Sequence, residues 1–215
     1  MEIEFFGANC FRIKTKNASI IIDDNLATIG GKTITKETDV AIFTSKLLEN
    51  EHATKKARLT LDSAGEFEIG DISVKAVQAR AHMDAEVAET ATVFQCLYEG
   101  TTVTILGHIH PDIADNVIEL AGGTDVMIVP VGGNGYTLDA VGAVSAIKKI
   151  EPEAIIPSYY DAPELTFEVP AAPLDDFRKA SALPEAEQKD SYKVDKPNPD
   201  LVGKAHLIVL NIKKA

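Results

Sequence analysis

Two histidines two residues apart, His108 and His110, are the strongest chemical feature of this sequence. Alternate residues of an extended strand leave the same face, so two imidazoles at this spacing would share a metal ion or a proton. Asp112 stands two residues on, where a carboxylate could orient one ring. A catalytic zinc takes about three protein ligands. The best third candidate is His82, with Asp84 close behind it, where the stretch ISVKAVQARAH runs out. The plainer alternative is that one histidine serves a turn while the other bonds a loop carbonyl. A second feature is Gly132-Gly133-Asn134-Gly135, between an expected strand and an expected helix, where bare amides would hold a small anion. Its plainer alternative is a set of turn glycines. G-G-x-G is not the dinucleotide fingerprint, and neither a phosphate-binding loop nor a G-x-S-x-G elbow is present. Serine-triad and nucleotide-hydrolysis chemistry therefore lack support, and catalytic residues remain unassigned.

These residues need elements to position them. Residues 101–161 read as strand, helix, strand, helix, strand, with apolar runs at 103–106, 126–131 and 154–157 and helically spaced apolar residues between them. Such alternation predicts a parallel sheet with helices packed on it. Working residues then gather at the carboxyl ends of the strands, which are 107–110, 132–135 and 158–161. The first helix is expected to start at Pro111 and end at Gly122-Gly123, and the second to be capped by Thr137 and to stop near Glu151-Pro152.

Upstream the pattern is mostly β. MEIEFFG, CFRIK and SIIIDD are separated by short turns and should pair antiparallel, and 39–44 is a further buried strand. SKLLENEHATKKA is polar enough to be a short surface helix or irregular. EFEI and ISVKAVQA flank Gly70-Asp71, a tight hairpin turn. TATVFQCLYEG gives another strand that turns at Glu99-Gly100. Beyond residue 161 the chain becomes proline-rich and charged. One helix is expected within 174–183, ended by Pro184, then loop over 185–200, then a buried strand over 205–213.

Composition narrows the functional classes. The 215 residues, 45% of them hydrophobic, suffice for one core, so a single domain over 1–215 is expected, with 162–203 as a proline-rich segment inside it. With 33 acidic and 21 basic residues the formal charge is −12, which disfavours nucleic acid and anionic lipid as partners. The N-terminus lacks the basic region of a signal peptide, and no run reaches the ~18 apolar residues of a membrane span. Cys10 and Cys96 read as isolated buried thiols, which suits a reducing cytoplasm. Exposed sheet edges would allow homo-oligomers.

Taken in order, FFGANCFRIKTKNASIIIDD, the strand ending at Thr44, AGEFEIGDISVKAVQARAH, TILGH, DVMIVPVGGNGYTLD and EAIIPSYY resemble the metallo-β-lactamase superfamily. Within it, the sequence is most similar to the small lactonase-like metal-dependent hydrolases related to ascorbate-phosphate lactonase. The resemblance covers residues 1 to about 161. It implies an α+β fold, the αββα sandwich, with a site along one edge of two sheets. It also implies a zinc-bound hydroxide that attacks an ester, lactone or phosphodiester. The family takes its metal ligands from T-H-x-H-x-D-H, a histidine after the next hairpin, a later aspartate and a last histidine near P-x-H-Y.

Against that pattern, Ser45 and Leu47 replace the first two histidines, Glu49 the aspartate and Asn50 the last histidine of the first motif. His82 matches the next histidine with an offset of about one residue. His108 stands where the bridging aspartate belongs, and Tyr159 at the final histidine. The expected protein is therefore a metallo-β-lactamase-fold binding or structural module whose dinuclear zinc site is lost, with no cofactor. The expected pocket draws on Ser45, Lys46, Glu49, Asn50, Asp84, Gly132, Gly133 and Tyr159. The alternative is a hydrolase with one divalent metal, zinc, on His82, His108 and His110, joined by Glu49 or Tyr159. A third reading has a small anionic ligand held by residues 132–135 and Lys46.

Overall fold

The structure, a computed structural model, describes residues 1–184, 186–194 and 205–214. Strands β1 (Glu2–Gly7), β2 (Cys10–Lys14) and β3 (Ser19–Ile22) form an antiparallel meander, and β4 (Val40–Ile42) and β5 (Leu59–Leu61) add to it in parallel. Between β4 and β5 lie a single 3-10 turn (Lys46–Leu48) and the one-turn helix α1 (Glu51–Thr54). Next come β6 (Gly65–Ile69), β7 (Ile72–Ala79), β8 (Ala91–Tyr98) and β9 (Thr101–Ile105), all antiparallel. Then α2 (Asp115–Ala121), β10 (Val126–Pro130), α3 (Ala140–Ile150) and β11 (Ala154–Ser158) alternate, with β9, β10 and β11 parallel. The chain continues through α4 (Leu174–Ser181), β12 (Glu187–Lys189), β13 (Tyr192–Lys193) and β14 (His206–Leu210).

Two sheets result, one ordered β13-β1-β2-β3-β4-β5 and the other β12-β14-β11-β10-β9-β8-β7-β6. Their facing sides share one apolar core, built from Ile3, Phe5, Phe11, Ile20 and Ile42 on one sheet and Phe94, Val103, Ile128 and Ile156 on the other. The far face of the larger sheet packs Met127, Val129 and Ile155 against Val117, Ala146 and Phe177 of α2, α3 and α4. Strands β10 and β11 are buried on both faces, which is why they read as unbroken apolar runs. On the outer side of the smaller sheet, Ala41 and Phe43 are covered by Leu48 and Ala53. This is the two-sheet sandwich with outer helices that the resemblance implied. No helix among the described residues is long and apolar enough to cross a membrane.

Local turn chemistry accounts for the elements that formed as expected. Gly70, at φ +63°, closes the β6–β7 hairpin beside Ile69 and Ile72. Glu99 and Gly100 both take positive φ in the β8–β9 hairpin, the requirement of a tight turn matched to strand twist. Other expectations need correction. Helix α2 starts at Asp115, not at Pro111, and the Asp112 amide donates to His110 Nδ1 at 3.0 Å in the turn that precedes it. The cap of α3 is Asp139, whose carboxylate accepts the Gly142 amide at 2.7 Å, while Thr137 is buried and donates to the Gly107 carbonyl. Helix α4 ends at Ser181 and is capped by Ala182 in the left-handed region, ahead of Pro184. The stretch expected to be loop over 185–200 contains β12, parallel to β14, and β13, antiparallel to β1. Residues 195–200 lie outside the described residues.

Candidate functional site

Parallel strands place their carboxyl ends together, and here both sheets do so at one edge. Asp23 and Thr44 follow the ends of β3 and β4, and Leu106, Val131 and Tyr159 follow the ends of β9, β10 and β11. The β1–β2 turn joins them, since the Tyr159 amide donates to the Ala8 carbonyl at 2.7 Å. At this edge the sheets approach so closely that a Cβ on Gly107 (φ +60°) would lie 2.2 Å from Thr44 Cβ. Asp23 and Tyr159 also take positive φ, at +46° and +48°. Left-handed non-glycine residues are costly and tend to gather where function fixes the backbone.

A buried polar chain crosses the edge. Asp23, fully buried, accepts the Thr44 amide at 2.7 Å, the Thr44 hydroxyl at 2.6 Å and the Asn9 amide group at 2.5 Å. Asn9 in turn accepts the Ser158 hydroxyl at 2.6 Å, so a side chain of each sheet is tied to the other. Burial raises Asp23 to about 6, against the pull of those three donors. The neighbouring Asp24 turns away and holds the 33–35 segment through the Ile34 and Thr35 amides and the Thr35 hydroxyl. Ser158 falls within the strand end expected at 158–161, whereas Asn9, Asp23 and Thr44 did not stand out as site residues in the sequence. The available signal was the pair of acids closing the apolar run SIIIDD, because a carboxylate at the end of a buried strand must find donors.

His108 is 4% exposed, and neither of its ring nitrogens has a hydrogen-bond partner among the described residues. Its ring meets Tyr136 and Tyr159 edge-on, with centroids 5.0 and 5.3 Å apart. Burial drops its pKa to about 3, so the imidazole is neutral. His110 and His82 lie elsewhere on the edge, where Ala81 bridges to Ile109 and their own rings stand 5.8 Å apart. Burial, then the Arg80 and His82 charges, lower the pKa of His110. Strand β9 ends at Ile105 and Gly107 turns the chain. The two histidines are therefore not successive residues on one face of a regular strand.

The first-motif positions are committed to local structure. Ser45, buried, accepts the Leu47 amide at 3.3 Å. Asn50 caps α1 through the Ala53 amide and donates to the Asp24 and Leu48 carbonyls. Lys46 and Glu49 are exposed, and Leu47 is 66% exposed. Asp84, expected in the pocket, is instead the brace of its own loop, accepting the Ala81 and Thr90 amides and the Thr90 hydroxyl. Burial would raise its pKa, but those donors outweigh it and hold it below the usual range. Gly132 and Gly133 are packing glycines: a Cβ on Gly132 would strike the Tyr159 carbonyl at 2.2 Å, and the Gly133 amide is spent on Leu138. That leaves little of an anion nest.

Zinc needs about three converging nitrogen, sulfur or carboxylate donors. Among the described residues, no group of three or more His, Cys, Asp or Glu side chains comes together to hold a metal. The described side chains therefore do not fit the dinuclear centre that the fold implies. What the edge does offer is a cleft of about 250 Å³ at Tyr136 and Tyr159, lined by Ile29, Leu47 and Phe167, by the polar Asn25, Thr28 and Thr166, and by the exposed Glu168.

Comparison with known proteins agrees with this geometry. The beta-lactamase superfamily domain matches residues 2–159. A metal-dependent hydrolase from Oenococcus oeni is 23% identical, over 75% of this chain and 86% of its own. A Thermotoga maritima structure assigned to the Zn-dependent hydrolases of the metallo-beta-lactamase superfamily superposes with a TM-score of 0.71 at 22% identity, covering 98% of this chain and 99% of that one. The metallo-beta-lactamase fold protein YhfI from Bacillus subtilis gives 0.58 at 6% identity, covering 98% and 96%. With a sandwich whose parallel strand ends meet at one edge and a family match over most of its length, the chain belongs to the beta-lactamase superfamily.

Proposed function

We propose that this protein is a metal-dependent-hydrolase relative, of the lactonase-like branch, that has lost its dinuclear zinc site and works as a non-catalytic binding module. The carrying observation is the fate of the first motif. Leu47 has no donor atom, and Ser45 and Asn50 are spent on local caps; the resemblance to the superfamily also sets Tyr159, whose ring is buried, against the last histidine. The edge keeps its scaffold, including the buried Asp23 chain, and presents a cleft in place of a metal bed. The buried, unpaired Cys10 and Cys96 suit a reducing compartment, so we place the protein in the cytoplasm.

Elemental analysis of untagged protein, purified without chelator and again after incubation with zinc, tests this reading. Metal well below one equivalent per chain is expected in both preparations. Stoichiometric zinc would overturn it. A second reading is favoured by the orphaned nitrogens of His108 and the nearness of His82 to His110: a hydrolase with a single metal on those three residues. It requires His108 to move out from behind Tyr136 and Tyr159. The pair His108→Ala and His110→Ala would then abolish metal uptake, and unchanged uptake would sink that alternative.

A further inference from the structure

We propose that the cleft over Tyr136 and Tyr159 binds a small organic cation of the alkylammonium class, an inference that rests on reading this edge as a binding site. Three aromatic rings meet there, with centroids 5.6 Å apart for Tyr136 and Tyr159 and 5.1 Å apart for Tyr159 and Phe167. Glu168 lies close enough that its charge, after burial, adds to raising the phenol pKa of both tyrosines. No Lys, Arg or His lines the cleft among its described residues, and Lys46 on the adjoining turn is outside that lining. An ammonium group against aromatic faces is attracted by the ring quadrupoles, and a carboxylate at the rim supplies the counter-charge. An anion would meet the reverse on both counts, within a chain of formal charge −12. Ile29, Leu47 and Leu48 offer apolar surface for the alkyl groups of such a cation, beside the neutral polar side chains of Asn25, Thr28 and Thr166. Leu47 then gains a role: it offers apolar surface where the superfamily pattern has a ligand.

The test uses the full chain at measured metal content. Tetramethylammonium chloride is titrated beside tert-butanol, a neutral molecule of similar shape, and sodium acetate, at matched ionic strength. Tyrosine emission reports binding, since the chain has no tryptophan. We expect tetramethylammonium to bind at least about tenfold tighter than tert-butanol, a factor in the range of a partly desolvated cation–π contact, with no saturable response to acetate. Glu168 is exposed, so Glu168→Gln should fold normally while weakening binding several-fold; Tyr136→Leu should weaken it further. Glu51→Gln, an exposed acid on α1 outside the cleft lining, should change nothing. Equal affinity for tert-butanol, or an unchanged affinity in Glu168→Gln, overturns the proposal. Cation-selective binding in a zinc-loaded chain upholds the ligand class while the non-catalytic reading falls. Absence of selectivity in metal-free protein does the opposite.

Discussion

A carboxylate removed from water, as Asp23 is, must be worth its desolvation. Three donors face it, yet burial still raises its pKa to about 6 from 3.8. Over the interval from pH about 4 to 6 the native state holds a proton there that the unfolded chain has already released, so stability falls as pH rises through it. The shift corresponds to about 3 kcal/mol. Asp23→Asn removes this titration but sets an NH2 group against the Asn9 amide, at a cost of about 1–3 kcal/mol. In urea unfolding from pH 4 to 7, the wild-type advantage over Asp23→Asn should therefore shrink as pH rises. A constant gap would show that Asp23 ionises as an ordinary surface acid does. His108 teaches a related lesson. Its residue type marked the right edge of the fold, but its spacing to His110 suggested an exposed pair. The turn at Gly107, imposed by contact with Thr44, puts its ring behind two tyrosines instead.

Among the elements, those that bury a run or stripe of apolar residues were legible and the two- and three-residue edge strands were not. Strands β1 to β4 and β9 to β11 carry Ile, Val and Phe in runs or alternation because both faces or one face meet a core. Strands β12 and β13 lie at sheet edges with the sequences EQK and YK, where no periodicity records the ladder. Strand β5, with only Leu61 buried, gave as little to read. Helix starts were misread by a few residues for a different reason. Thr137 and Asp139 are both good capping types. Which one caps depends on Thr137 being drawn into a contact with the Gly107 carbonyl thirty residues away. Asp139→Ala should accordingly lower stability by about 1 kcal/mol through loss of the α3 cap. Thermal or urea unfolding of this variant checks it. A loss below about 0.3 kcal/mol would mean that water or a neighbour satisfies the first-turn amides equally well.

At the scale of the molecule, the two sheets share an apolar core, but that core is non-directional and would tolerate sliding. The polar chain at the edge supplies direction. Ser158 on the larger sheet reaches Asn9, Asn9 reaches Asp23, and Asp23 holds Thr44 on the smaller sheet, so four side chains fix how the strand ends meet. Gly107 against Thr44 and Tyr159 against Ala8 add close contacts in the same place. Residues linked through one buried network respond together when cut, whereas independent sites add. Ser158→Ala and Thr44→Val each remove one hydroxyl from opposite sheets without removing much volume. The double mutant should lose less stability than the two single losses combined, by about 0.5–1 kcal/mol, because the first cut already loosens Asn9 and Asp23. Urea unfolding of the four proteins at pH 7 measures this. Additivity within about 0.3 kcal/mol would mean that each sheet holds its own half of the edge. The shape of the cleft would then rest on the packing of Tyr136, Tyr159 and His108 alone.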